Sequence, residues 1–228
     1  MNLWKSIKFL TPFEIALWVF SVVLIAVPPM IFKSFDLVSV VGSVIGITAL
    51  VFCAKADPLG QFLTAVFSIF YSIVSLRFHY YGEMITYLFM SAPMAVFSGI
   101  SWIKHRYSED RPETKIEKLG KKDIVLMIVY ATAVTGIFYF ILKYFNTANL
   151  FFSTVSVTTS FFAVYLLYKR SPLYALAYAT NDVVLIILWV MATAENIEYL
   201  PMVICFFVFF LNDIYAFVNW GRIKKNQI

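Results

Sequence analysis

Charge is scarce in this chain. Asp, Glu, Lys and Arg make up 14% of its 228 residues, where a soluble domain carries about 25%. That is too little to cover a globule of this size, so a soluble enzyme, a secreted scaffold and a disordered tail are excluded. Cysteine is nearly absent as well. Cys53 and Cys205 stand alone in apolar runs, with no CxxC and no histidine cluster, so neither a disulfide framework nor a zinc site is indicated. The two histidines, His79 and His105, fall at the ends of apolar runs, which argues against a membrane metalloenzyme. No GxxxxGKS loop occurs, so the chain is not expected to hydrolyse ATP. No Lys or Arg lies in the middle of an apolar run. That argues against a retinal Schiff base and leaves a phosphate group nothing cationic to pair with. No catalytic residue, metal or cofactor is expected. The net charge of +5 would hint at nucleic acid in a soluble protein. Here it reads as loop charge on the inner face of a membrane, and nucleic acid is not an expected partner.

What is present is apolar. Hydrophobic residues make up 61% of the chain, against about 45–50% in soluble proteins. A bilayer-crossing helix needs about 20 mostly apolar residues. Eight stretches qualify: Phe13–Phe32, Leu37–Ala54, Leu59–Phe78, Glu83–Ile103, Asp123–Tyr144, Ala148–Tyr168, Tyr174–Ala194 and Tyr199–Asn219. They are apolar on all sides, which the alternating strands of a β-barrel are not. The opening MNLWKSIKFL has basic residues before a long apolar run and no A-x-A site, and reads as a retained first span. Lys5, Lys8, Lys55, the stretch Lys104–Lys122, Lys169, Arg170 and the tail GRIKKNQI fall on one side. The other side keeps Lys33, Arg77 and Lys143 at helix ends, with Glu195 and Glu198 in its last loop. Because Lys and Arg accumulate on the inner side, both termini are expected in the cytoplasm of a multi-pass cell-membrane protein.

The sequence also repeats. Lys55–Leu59 (KADPL) resembles Lys169–Leu173 (KRSPL) at an offset of 114, and Ile100–Lys104 (ISWIK) resembles Val218–Arg222 (VNWGR) at an offset of 118. The expected fold is therefore all-α and polytopic, with two parallel three-helix repeats about an axis along the membrane normal. The expected divisions are an extra N-terminal helix in 1–36, a first repeat in 37–104, a loop and linker helix in 105–147, and a second repeat with its tail in 148–228. Transporters are often built this way, with the solute path between the repeats. Gly42 and Gly46 are spaced for close helix packing, and Pro28, Pro29 and Pro93 are placed to kink their helices.

Ionisable groups in a span are costly and usually face a cavity or a partner. Span 7 holds Asn181–Asp182 and span 8 holds Asn212–Asp213. At about 1.5 Å per residue the two pairs lie at similar depth, level with Thr159 in the hydroxyl run of span 6. Tyr174, Tyr178, Asn181 or Asp182, and Trp189 follow helical spacing on span 7, as do Phe209, Asn212 and Tyr215 on span 8. Such faces can stack a flat ring and hydrogen-bond a sugar. The plainer role for the Asn and Asp side chains is to bond neighbouring helices, and for the hydroxyls to bond their own helix. The first repeat is poorer, with Gln61, Ser68, Tyr71 and Tyr87 as its polar candidates.

The second half runs from KYFNTANLFFSTVSVTTSFFAVYL through KRSPLYALAYATNDVVLIILW to YLPMVICFFVFFLNDIYAFVNWGRIKK. It resembles the PnuC family of nicotinamide riboside transporters, and the resemblance extends over spans 2–8. It implies two three-helix bundles joined by a linker helix, a SWEET-like architecture, with span 1 as the extra helix some members carry. It implies facilitated diffusion of a vitamin-like nucleoside, trapped by a cytosolic kinase. Where family members carry Trp-rich positions on span 7, this chain has Tyr174 and Tyr178 before Asn181. That departure keeps deoxynucleosides and thiamine open as solutes, and proton coupling with them. The expected binding residues are Gln61, Tyr174, Tyr178, Asn181, Asp182, Trp189, Asn212, Asp213 and Tyr215. In that scheme Tyr178, Trp189 and Tyr215 frame the ring, and Asn181, Asn212 and Gln61 meet polar atoms. The expected partners are a small-molecule substrate and the lipid bilayer, with a homo-oligomer left open. A lipid-modifying membrane enzyme would need a nucleophile, metal motif or basic phosphate site, and the sequence contains none. A substrate-capture subunit of a larger machine is not excluded by any motif.

Overall fold

A computed structural model describes residues 3–31, 36–77, 80–109 and 111–227 of the chain, with side chains from Ser6 onward. The elements are α1 (Leu3–Lys8), α2 (Pro12–Ile31), α3 (Leu37–Ala54), α4 (Pro58–Arg77), α5 (Tyr81–Thr86), a π-helical turn (Tyr87–Ser91) and α6 (Ala92–Lys104). They continue with α7 (Lys121–Tyr144), α8 (Leu150–Tyr168), α9 (Leu173–Glu195), a 3₁₀ turn (Ile197–Tyr199) and α10 (Leu200–Asn226). Eight helices are long and apolar enough to cross a membrane, with α5, the π turn and α6 together forming the fourth. The protein is a multi-pass, all-α membrane protein. Among the described residues there is no strand beyond one isolated bridge between Arg106 and Thr114. The expected span ends at Phe32 and Phe78, together with Lys33 and His79, lie outside the described residues. Two boundaries differ from expectation. The short α1 precedes the first span, and α10 continues to Asn226, because its basic last turns remain hydrogen-bonded past Trp220.

Local chemistry sets the ends of these helices. Asp36 caps α3, accepting from Ser39 N at 2.8 Å and from Ser39 Oγ at 2.6 Å. The KADPL segment then makes a tight turn. Ala56 takes φ 56°, Asp57 Oδ1 accepts from Leu59 N at 2.9 Å, and Pro58 opens α4, where a missing N–H costs nothing. Its counterpart KRSPL repeats the geometry, with Arg170 at φ 54° and Ser171 Oγ accepting from Leu173 N at 3.4 Å. The kink expected at Pro93 takes the form of the π turn just before it. Proline has no N–H to close the ladder on Phe89, and the preceding turn widens instead. Within the spans, Thr48, Thr64, Ser68, Ser72, Thr154 and Thr158 each donate to the carbonyl four residues back, so their hydroxyls need no water.

Neighbouring helices pack in chain order within each half: α3 on α4 and α4 on α6, then α8 on α9 and α9 on α10. Between the halves, the first helix of one meets the last of the other, α3 with α10 and α6 with α8. Hydrogen bonds follow the same exchange. Trp102 Nε1 at the end of α6 donates to Leu167 O at the end of α8 (3.2 Å), and Trp220 Nε1 on α10 donates to Cys53 O at the end of α3 (2.8 Å). The donors are 118 residues apart and the acceptors 114, which are the two offsets of the sequence repeat. The indole rings meet at 5.3 Å. The outer helices are tethered alike as well. Lys55 pairs with Glu14 on α2 at 3.5 Å, and Lys169 with Asp123 on α7 at 2.7 Å. Each acid also caps its own helix, Glu14 accepting from Thr11 N at 2.6 Å and Asp123 from Gly120 N at 3.0 Å. The extra helix and the linker helix are thus anchored in the same manner.

Glycine permits the closest approaches. A Cβ on Gly60 would lie 2.5 Å from Cys53 N, and one on Gly42 would lie 3.0 Å from Phe70 Cβ. Gly60→Ala is expected to lower stability by about 1–3 kcal/mol, because the obstacle is backbone. Trp102→Phe and Trp220→Phe should each remove one buried hydrogen bond between the halves, leaving Leu167 O and Cys53 O with Arg170 N and Ala56 N, and cost about 0.5–1.5 kcal/mol, to similar extents. Thermal unfolding of the detergent-solubilised variants measures all three.

Candidate functional site

The apolar interior divides in two. One cluster contains Tyr71, Leu185, Leu188, Trp189 and Phe206, and the other contains Trp102, Leu167, Tyr174 and Trp220. Between them lies a central cavity of about 50 Å³, lined from both halves. The first half contributes Gly46, Ala49, Leu50, Cys53, Thr64, Phe67, Ser68, Tyr87 and Ser91, and the second Leu167, Tyr174, Tyr178, Asp182, Phe209 and Asp213. Gly46 makes the room on α3, since a Cβ there would lie 2.4 Å from Phe209 Cζ and 2.9 Å from Phe67 Cδ2. No Lys, Arg or His lines the cavity. Asp182 and Asp213 face the cavity from the neighbouring helices α9 and α10. Of the cavity-lining side chains, Asp182 Oδ2, Asp213 Oδ1 and Tyr174 Oη are buried without a protein partner, and so are free to meet a solute. A wider groove of about 780 Å³ opens on the outside of the bundle, between α6, α7 and α8. Its Met94, Phe97, Ile100 and Phe161 suit lipid contact rather than a polar solute.

Comparison with known proteins agrees with this construction. The family described as nicotinamide mononucleotide transporter matches residues 36–222. The chain belongs to that family of membrane transporters. The fold is that of a solved vitamin B3 transporter, PnuC, with a TM-score of 0.85 at 24% sequence identity, covering 99% of this chain and 98% of that one. No curated protein matches the sequence significantly.

In this transporter the nine expected site residues divide. Tyr174, Tyr178, Asp182 and Asp213 line the cavity together. Gln61 stands behind the wall, its Nε2 donating to Cys53 Sγ at 3.1 Å. The other four turn elsewhere. Asn181 Oδ1 accepts from Thr159 Oγ1 at 2.7 Å and Ser160 Oγ at 3.0 Å, joining α9 to α8. Asn212 Nδ2 donates to Ser21 Oγ at 3.1 Å, joining α10 to α2. Tyr215 donates to Glu14 Oε1 at 2.8 Å, also on α2. Trp189 Nε1 donates to Tyr71 Oη at 2.8 Å. The reason is angular. Adjacent residues on a helix point about 100° apart, so in both Asn-Asp pairs the acid faces the cavity and the amide faces the next helix.

Sequence reasoning missed the aromatic and small walls of the first half, because Phe67 and Gly46 carry no polar signal. It also missed Glu83. At the start of a span Glu83 reads as an interfacial acid, yet α5 is tucked between α4 and α8 and buries it to 1% exposure. Ser156 Oγ donates to its Oε2 at 3.5 Å, and its Oε1 has no protein partner.

Both mouths of the cavity are shut. At one end Tyr71 and Tyr87 (4.3 Å between rings), Tyr80 and Trp189 (4.7 Å), and Phe206 against Tyr71 (5.3 Å) form an aromatic plug from both halves. At the other, basic end, a segment of the long loop lies across the two Trp rings. Thr114 N donates to Ala56 O at 2.9 Å and Glu117 N to Arg170 O at 3.1 Å. Those acceptors are the equivalent left-handed residues of the two turns. Between these bonds Ile116 is buried in the Trp102–Trp220 cluster. Arg170 holds the strand from the side, donating to Lys115 O at 3.2 Å and Ser101 Oγ at 2.9 Å and pairing with Glu117. Gln227 clasps it from the C-terminus, accepting from Ile116 N at 2.8 Å and donating to Thr114 O at 3.1 Å.

Ile116→Asp is therefore expected to loosen the basic-end mouth. In a Cys205→Ser background, Cys53 should react faster with a thiol reagent applied from that face. Asn181→Ala and Asn212→Ala are expected to lower thermal stability by about 1–3 kcal/mol each while leaving the cavity lining in place. Gly46→Val should drive Phe67 and Phe209 into the cavity and abolish solute-induced thermal shifts.

Proposed function

We propose that this protein takes up nicotinamide riboside by facilitated diffusion across the plasma membrane, with both termini cytoplasmic. The observation that carries the reading is a cavity between two halves that is acidic, aromatic and without a cation. Nicotinamide riboside is a pyridinium cation bearing an uncharged ribose. Tyr174, Tyr178, Phe67 and Phe209 offer ring faces that attract cations, and the carboxyl pair supplies negative charge. A phosphate ester such as the mononucleotide would meet two acids and no Lys, Arg or His, so the riboside suits the cavity better. The basic loops support the orientation, which makes the strapped mouth the cytoplasmic one. Units 37–104 and 148–228 would then move against each other, opening the aromatic plug and the Trp pair in turn. A cytosolic kinase would retain the product by adding the phosphate that the cavity rejects.

A second reading, thiamine, is favoured by the same charge and by the unpartnered Tyr174 hydroxyl; a deoxynucleoside would rely on the tyrosine hydroxyls alone. Purified protein reconstituted in liposomes tests these readings. Labelled nicotinamide riboside should equilibrate at a rate set by its own gradient, with the mononucleotide left outside. Accumulation driven by an imposed pH gradient would overturn facilitated diffusion, and flux of thiamine without riboside flux would replace the solute.

A further inference from the structure

We propose that Asp182 and Asp213 share one proton and act as a single-charge selector, so that the cavity accepts solutes carrying one positive charge. The proposal rests on the transport reading for the site, but not on the identity of the solute.

The geometry is a pair of buried acids lining one cavity inside the bundle. Asp182 on α9 and Asp213 on α10 line the same cavity of about 50 Å³, which no Lys, Arg or His lines, and each is at most 3% exposed. Two ionised carboxylates in so small a cavity, with no cation beside them, are strongly disfavoured, because their repulsion is strong in a low dielectric. One proton turns the pair into donor and acceptor and leaves one negative charge. The other titratable groups facing the pair add none. They are Cys53 on α3, Tyr87 on the π turn, Tyr174 and Tyr178 on α9, and Cys205 on α10. All are ordinarily neutral near pH 7. From α4 come only Thr64, Phe67 and Ser68, and from α8 only Leu167. The cavity therefore holds one net negative charge, and Asp182 Oδ2 and Asp213 Oδ1 have no protein partner and are left for a solute.

Charge balance in a closed cavity then decides the solute. A monocation brings the total to zero. A neutral solute leaves the negative charge buried and uncompensated, which is costly, and a phosphate monoester adds to it. The shared proton stays when the cation binds, since its loss would set two carboxylates against one positive charge. Transport of this kind needs no proton movement, in keeping with flux that follows the solute gradient alone.

The test uses the full-length protein in detergent and a ligand pair of one shape, nicotinamide riboside and its reduced dihydropyridine form, which is uncharged. Calorimetry should give at least ~10-fold tighter binding of the cation, with a binding enthalpy independent of the buffer's ionisation enthalpy. Thiamine against a neutral deoxynucleoside provides a second pair. Asp182→Asn and Asp213→Asn each replace the shared proton by an amide N–H, so each single variant should keep the cation preference. The double variant should lose it. Equal affinity of the wild type for the oxidised and reduced forms would overturn the proposal. So would loss of preference in either single variant that remains folded, its retention in the double variant, or one proton released per cation bound. The wild-type comparison does not depend on any variant folding. If the thiamine pair is discriminated while neither riboside binds, the solute named above fails and the charge selector stands.

Discussion

Two tryptophan-to-carbonyl hydrogen bonds hold the halves of this transporter together at one end, and much of the architecture follows from them. In a bilayer, lipid tails are as apolar as leucine, so no hydrophobic force draws helices together. Association rests on close packing and on polar groups that would otherwise be stranded. The last turn of a helix leaves carbonyls without intrahelical donors. Here Cys53 O and Leu167 O at the ends of α3 and α8 each accept from the backbone three residues on, and the indole N–H groups of Trp220 and Trp102 donate to them as well. Each bond crosses from one half to the other. Together they link the first and last helices of the two halves, and the two indoles meet tilted at 5.3 Å.

The same economy of polar groups explains why the cavity is acidic and the amides are not in it. Each span that carries an Asn-Asp pair presents two polar side chains about 100° apart. An amide can bond a serine or threonine on the next helix, as Asn181 Oδ1 accepts from Thr159 and Ser160 and Asn212 Nδ2 donates to Ser21. An acid has no such simple partner among apolar helices. The two acids are instead brought together, where one proton serves both. The structural role and the site chemistry are thus divided between neighbouring residues, which keeps the helix contacts independent of whatever occupies the cavity.

The two mouths are closed by different means. The aromatic plug holds by ring contacts, with Trp189 Nε1 donating to Tyr71 Oη. The basic mouth holds by several bonds to a single loop strand that spans both equivalent turns. Ala56 and Arg170 sit at positive φ, which aims their carbonyls at the strand. The strand joins the two halves without belonging to the repeat, so movement of one half against the other at that end must strain or release it.

Composition, run length and loop charge already determine an eight-span membrane protein, because the bilayer demands about 20 apolar residues per crossing. The KADPL and KRSPL turns and the two tryptophan segments disclosed the repeat, since each is a local signal with its own backbone geometry. Asp182 and Asp213 stood out because an acid in a span is costly wherever it points. Only the tertiary structure decided where the side chains point. Spacing alone could not choose between Asn181 and Asp182, nor send Tyr215 and Asn212 to α2 rather than to the cavity. It also could not assign a wall to Gly46 or Phe67, nor bury Glu83. Those outcomes depend on which helix lies beside which, and that is a property of packing between residues far apart in the chain.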